Sequence, residues 1–389
     1  MDPNFENTTI AFQLKTDSEL ERAYFLFKLI ANEPLVKIGT AVTNFAIKAH
    51  LPIEGLIRAT VFDHFCGGVN EEDCLGVIDK MYNKGVFSIL DYSVEGKKIE
   101  DQFDFALNKT LKVLDFVKEK NAIPFAVFKP TGFGRFELYE KISAGHSLNT
   151  SESEEWQRII DRFDKVCKKA HNLDVFLLVD AEESWMQKAA DDLVLMMMRK
   201  YNKKKSLVFN TVQMYRWDRM EYIETLSRTA VEENFKLGLK VVRGAYMEKE
   251  NERAEELGYK SPICKSKQAT DENFDTAIAY IMDHLDHISI FAGTHNEESC
   301  LKLVALMEQK KVAVNNSNIW FGQLYGMSDH ITFNLTAEGY NAAKYVPYGP
   351  VKDVMPYLIR RAEENTSVAG QTTRELALLQ QEKKRRELG

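Results

Sequence analysis

VFLLVDAEESWMQKAADDLVLMMMRKYNKKKSLVFNTVQMY, from Val175 to Tyr215, is the stretch whose reading decides the fold. It opens on an apolar run, Val175–Asp180, and closes on another, Leu207–Gln213, with a longer amphipathic stretch between them. Both runs are nearly continuous rather than alternating. That pattern suits parallel strands covered on both faces. Each run ends in polar residues: Asp180-Ala181-Glu182-Glu183 after the first, Gln213 and Tyr215 at the second. The unit recurs on either side. Further strands are expected at Val86–Tyr92, Phe125–Lys129, Leu239–Tyr246, Ile288–Thr294, Val312–Asn318 and Tyr345–Tyr348. Strand–helix alternation repeated about eight times reads as a (β/α)8 barrel. The rival is an open doubly wound sheet. One that bound a dinucleotide would carry GxGxxG after its first strand. The nearest match, Gly132-Phe133-Gly134, lacks the third glycine.

The chain before Tyr82 reads as helices. Ser18–Ile30 has helical apolar spacing, with Ser18 and Glu21 as a capping box. Pro34–His50 and Ile53–Phe65 continue it. The expected division is a helical arm over 1–82, a barrel over 83–366 and a helical tail over 367–389. The tail ends KKRREL, which reads either as a solvated helix or as a basic amphipathic segment that meets an anionic membrane or a partner.

Composition narrows the class. The 389 residues carry a net charge of −7, which argues against a nucleic-acid-binding surface. The five cysteines are odd in number and form no CxxC, so a reducing compartment is expected rather than a disulfide framework. His64, Cys66 and Cys74 match no zinc spacing, and His295 is the one histidine at a strand end, so no metal site is expected. The start, MDPNFENTTIAF, lacks the marks of a signal or transit peptide. No stretch approaches the roughly 20 apolar residues of a membrane span. A cytoplasmic protein is expected, with peripheral contact to the inner face of a membrane left open.

Barrel chemistry sits at the C-terminal ends of the strands. There the sequence places Lys129, Lys240, Arg243 and, nearer the end of the chain, Arg360 and Arg361, with Lys265 and Lys267 in the segment after the fifth strand. Asp180, Glu182 and Asp91 are the anions. A site this basic suits an anionic ligand, such as a diphosphate together with a carboxylate.

Seven blocks in order then resemble the proline dehydrogenase family: VDAEE (Val179–Glu183), TVQMY (Thr211–Tyr215), KVVRGAY (Lys240–Tyr246), GTHN (Gly293–Asn296), QLYGM (Gln323–Met327), YVPYG (Tyr345–Gly349) and YLIRRAEEN (Tyr357–Asn365). The resemblance spans roughly 85–365 and is closest to the monofunctional bacterial type. It implies a distorted barrel with FAD over its C-terminal mouth and the last helix lying across that mouth. Arg360 and Arg361, with Lys129, would bind the carboxylate of L-proline, and Asp180 would pair with one of the arginines. Tyr246, Tyr345 and Tyr357 would pack round the ring. Lys240 would lie beneath the flavin near N5, where hydride arrives. FAD would further meet Gln213, Val242, Gly244, Ala245, Lys265, Lys267, Thr294, His295, Asn296, Gln323 and Glu364.

The implied reaction yields Δ1-pyrroline-5-carboxylate, the first step of proline catabolism, and passes electrons to a membrane quinone. The chain length leaves no room for a fused aldehyde dehydrogenase, so a separate one is expected downstream. Two rivals stand beside this reading. One is a hydroxyproline dehydrogenase, disfavoured by Tyr345, which would crowd the hydroxylated carbon. The other is a Schiff-base aldolase with Lys129 as nucleophile. The family more often has Leu at Val241, which would make the pocket roomier here, and Ala at Gly293.

Overall fold

The computed structural model describes residues 3–32, 34, 54–92, 99–367 and 371–388. Eight parallel strands follow one another in chain order round a closed barrel: β1 (Val86–Tyr92), β2 (Phe125–Phe128), β3 (Phe176–Val179), β4 (Val208–Gln213), β5 (Leu237–Val242), β6 (Ile288–Gly293), β7 (Ile319–Leu324) and β8 (Ala342–Tyr348). Every residue of β2, β4 and β8 is buried, as continuous apolar runs require. The seventh strand corrects the expectation of Val312–Asn318. There the valines are followed by Asn315, Asn316 and Ser317, and the backbone turns instead: the Ile319 N–H donates to the Asn316 carbonyl at 3.0 Å. The strand is the next run, IWFGQL. β8 starts three residues before the expected Tyr345, because Ala342-Ala343-Lys344 reads as weakly apolar yet is fully buried.

The chain divides into two compact units, 96–322 and the pair of segments 1–95 and 323–389. Within 96–322, aromatic rings fill the barrel interior. The Phe125 ring lies 5.3 Å from Phe291, 4.9 Å from Trp320 and 6.1 Å from Phe209. These rings come from β2, β4, β6 and β7, so they meet across the lumen rather than along the sheet. Glycines make the room: a Cβ at Gly322 would overlap the Phe291 ring, and one at Gly238 would come within 2.7 Å of Phe209. Such layers make a barrel interior a packed core. On β5 the pleat puts Gly238, Lys240 and Val242 on the inward face, so Lys240 rises directly above the aromatic plug. Val241, fully buried, faces the other way, so its size bears on packing behind the strand and not on a pocket.

In the unit formed by 1–95 and 323–389, β1 and β8 pair in parallel from Val86↔Ala342 to Tyr92↔Tyr348. The arm helix is Asp17–Ile30. Its capping box is Thr16 with Glu19, not Ser18 with Glu21. Thr16 has extended backbone and can turn its hydroxyl to the exposed N–H groups, whereas Ser18 already lies in the first turn. The Ile53–Phe65 stretch is helix Glu54–Ile57, a π-helical turn Arg58–Phe62 and a final turn Asp63–Phe65. Nearly all of Pro34–His50 lies outside the described residues.

The tail forms a helix, Gln371–Arg385, that packs on the arm. Leu378 and Leu379 join a buried cluster with Phe12, Leu20, Ala23 and Phe27. Arg386 donates to Asp17 at 3.0 Å and to the Phe12 carbonyl at 3.0 Å, and Lys383 lies 4.8 Å from the Tyr24 ring centroid. These two cations of KKRREL are therefore engaged within the unit and one face of the helix is buried, while Lys384 and Arg385 stay exposed. Beneath it, Asp329 bridges two lysines, Lys344 at 2.9 Å and Lys15 at 3.2 Å. Among the described residues no helix is long and apolar enough to cross a membrane.

Candidate active site

In the unit 96–322, three strand ends converge on one carboxylate. Asp180, the first residue after β3, accepts from Lys129 at the end of β2 at 2.9 Å through Oδ2 and from Lys240 of β5 at 2.6 Å through Oδ1. Burial alone would raise the Asp180 carboxyl, but the two ammonium groups and their hydrogen bonds hold it well below the usual carboxylate range. Two cations and one anion leave a net positive charge beside the lumen.

Glu182 organises the backbone round this triad. It accepts from the Thr131 N–H at 3.0 Å and from the Thr131 hydroxyl at 2.6 Å, which fixes the turn just past Lys129. Its own N–H donates to Gln187 at 2.8 Å, and its carbonyl accepts from Gln213 Nε2 at 3.1 Å. Burial pushes the Glu182 carboxyl up to about 7, against the pull of Lys129 and Thr131.

The ends of β5 and β6 form a second group. Arg243 donates to Asp271 at 2.7 Å, to the Thr294 hydroxyl at 2.8 Å and to Ser299 at 3.0 Å, with its guanidinium 4.5 Å from the Phe274 centroid. Lys267 shares Asp271 at 2.7 Å. Gly244 has φ +136, and a Cβ there would come within 2.5 Å of the Tyr215 ring. Gly244 and Ala245 are both exposed, next to Arg243 and half-buried Val242. Tyr246, half-buried, precedes helix Met247–Leu257. That helix is anchored by Glu250, which accepts from the Ser184 N–H and hydroxyl, both at 2.6 Å. Lys265 is exposed and His295 half-buried. Asn296 caps helix Glu297–Gln309 by accepting from the Ser299 N–H at 2.9 Å. Exposed glycine backbone flanked by cations suits an anionic diphosphate.

In the other unit, Tyr345 of β8 is buried, on the strand face opposite Lys344. Helix Met355–Ser367 carries Tyr357, buried, Arg360, half-buried, and Arg361, buried. The Arg361 guanidinium lies 5.1 Å from the Tyr357 ring centroid. Adjacent residues on a helix start about 100° apart, so the two guanidiniums leave it in different directions. Gln323 accepts from the Thr332 hydroxyl at 2.8 Å and so faces helix Asp329–Ala337 behind the strand. The Glu364 side chain lies outside the described residues.

Comparison with known proteins assigns the family. A family profile described as Proline dehydrogenase matches residues 74–374. The chain belongs to the proline dehydrogenase family. It is 35% identical over 365 residues to the carbapenem antibiotics biosynthesis protein CarD of Pectobacterium carotovorum subsp. carotovorum, covering 93% of this chain and 95% of that protein. It is 31% identical over 426 residues to mitochondrial proline dehydrogenase 1 of Dictyostelium discoideum, covering 98% of this chain and 74% of that protein. Among solved structures, proline utilization A from Bdellovibrio bacteriovorus superimposes with a TM-score of 0.69 at 18% identity, over 94% of this chain. The chain spans 37% of the length of that structure, and at this identity the likeness speaks for the fold.

For this proline dehydrogenase family member, the structure brings together Lys129, Asp180, Lys240 and Gln213, and separately Arg243, Lys267, Thr294 and Asn296. The sequence reading did not foresee Asp271, Glu250 or the part played by Thr131. Asp271 had a signal, since Lys267 lies four residues before it on a helix. Glu250 had none, because it serves a helix 66 positions earlier in the chain.

Proposed function

We propose that this chain oxidises L-proline to Δ1-pyrroline-5-carboxylate with FAD as its cofactor. The observation that carries the reading is the Lys129–Asp180–Lys240 cluster above the aromatic plug, within a chain of the proline dehydrogenase family. FAD, when bound, would supply the two-electron acceptor that no side chain offers. Arg243, Lys265, Lys267, the Gly244–Ala245 backbone, Thr294 and His295 would hold its phosphates and sugars, and Lys240 and Gln213 its ring system. Arg360 and Arg361 would grip the substrate carboxylate through paired donors, which lysine does less well. Tyr246, Tyr345 and Tyr357 would enclose the methylenes and exclude water. A membrane quinone would take the electrons, with the protein at or near the inner face, and a separate aldehyde dehydrogenase would consume the product.

The test is optical. The purified protein should be yellow, and adding proline without oxygen should bleach the flavin absorbance. A colourless protein that takes up no added FAD would defeat the reading. Comparing turnover on proline and hydroxyproline separates the substrates, and a clear preference for hydroxyproline would reassign this one.

A further inference from the structure

The turn that follows β7, Leu324-Tyr325-Gly326-Met327-Ser328, is held by side chains from three separate parts of the chain. From the arm, His64 Nε2 donates to the Gly326 carbonyl at 2.9 Å. Burial keeps this imidazole neutral, its pKa lowered to about 3, so the ring nitrogen facing the carbonyl is a neutral N–H donor. From β8, Lys344 donates to the Leu324 carbonyl at 3.3 Å and to the Met327 carbonyl. From the tail helix, Glu375 accepts the Ser328 N–H.

The turn needs holding. Gly326 has φ +79 and Ser328 φ +52, and a left-handed serine costs roughly 1 kcal/mol. A Cβ at Gly326 would overlap the His64 carbonyl oxygen.

The turn also leads to residues of interest. The Tyr325 N–H donates to the Tyr345 carbonyl at 2.8 Å. The Met327 side chain is buried in one cluster with Leu26 and Phe65 of the arm and with Tyr357 and Leu358 of helix Met355–Ser367. Backbone hydrogen bonding therefore ties the turn to Tyr345, and packing ties it to Tyr357.

We propose that His64, Lys344 and Glu375 are positioning residues that fix the turn after β7 and, through it, the placement of Tyr345 and Tyr357 against the substrate. The arm and the tail thereby take part in substrate binding without touching the substrate. The inference rests on the functional reading above, because that reading makes Tyr345 and Tyr357 substrate contacts.

The experiment uses the full chain loaded with FAD. Glu375→Ala should raise the KM for proline about tenfold, the scale of a lost buried hydrogen bond, with kcat within about twofold and the flavin spectrum unchanged. Glu375→Gln, whose amide oxygen still accepts the Ser328 N–H, should stay within about twofold of wild type. In Glu375→Ala the Tyr325 amide should also exchange its hydrogen at least about tenfold faster. Unchanged KM and unchanged exchange in a folded Glu375→Ala protein would overturn the proposal. If that variant does not fold, Glu375→Asp decides: a several-fold rise in KM and faster Tyr325 exchange support the proposal, and wild-type values of both overturn it. Amide exchange needs no turnover, so it judges the positioning role even if proline proves not to be the substrate.

Discussion

Asp180 and Asp329 each bridge two lysines, and the two triads differ in how deeply the inner lysine lies. Lys344 is fully buried and donates to Asp329 and to the carbonyls of Leu324 and Met327. An ammonium has three protons, so its donors are used up within the protein. Burial draws Lys344 below the usual lysine range even though Asp329 supports its charge. Lys240, its counterpart beside Asp180, keeps 10% of its side chain exposed, while the outer lysines are alike, Lys129 at 26% and Lys15 at 21%. The same three charges thus hold a wholly buried lysine in one place and, in the other, a lysine with an edge to solvent at a strand end. Charge pattern alone does not separate the two; the exposure of the inner lysine does.

The sharpest way to break that contrast is to remove each aspartate. Asp329→Ala leaves Lys344 charged and buried without its counter-ion, and should cost about 3–5 kcal/mol of stability in urea unfolding. Asp180→Ala should cost clearly less, because Lys129 can turn to water and Lys240, unlike Lys344, keeps an edge to solvent; equal losses would erase the distinction. Activity should rank the other way. Asp180→Asn should lower kcat/KM for proline about 100-fold, or roughly 2.7 kcal/mol, while its Tm stays within a few degrees of wild type.

Smaller effects refine the picture. His64 titrates near 3 in the fold against 6.5 when free, so between those values the unfolded chain binds more protons. Stability should therefore be intact above pH 6.5 and decline as pH falls toward 3, and His64→Gln should flatten that decline in urea midpoints. The smallest effect concerns Glu182, whose pKa is raised from 4.5 to about 7. Its contribution is present below 4.5 and lost as pH rises through about 7. Glu182→Gln should remove that loss, and a variant whose midpoint still falls across neutrality would point to another group.

Most of the barrel was legible because two-faced burial writes continuous apolar runs, and seven of the eight strands overlap the expected stretches. β7 was misplaced because Val312-Ala313-Val314 imitates such a run, while the decision lies in the Asn-Asn-Ser that follows. In the site, the polar residue types at strand ends were legible and their partners were not. The resemblance pairs Asp180 with one of the two arginines and says nothing of lysines; the two that reach its oxygens lie 51 and 60 positions away, and closing the barrel is what brings them together. Gln323 reads as one more strand-end polar residue, but the pleat turns it toward Thr332.

The tail helix lies along the arm helix, with Arg386 bonded to the Phe12 and Lys15 carbonyls and Arg374 bonded to Glu6. The described segments 3–15 and 371–388 are therefore neighbours. A short linker could join them, with new ends cut in the exposed Lys203–Lys205 loop, to give a circularly permuted chain that keeps every contact described above.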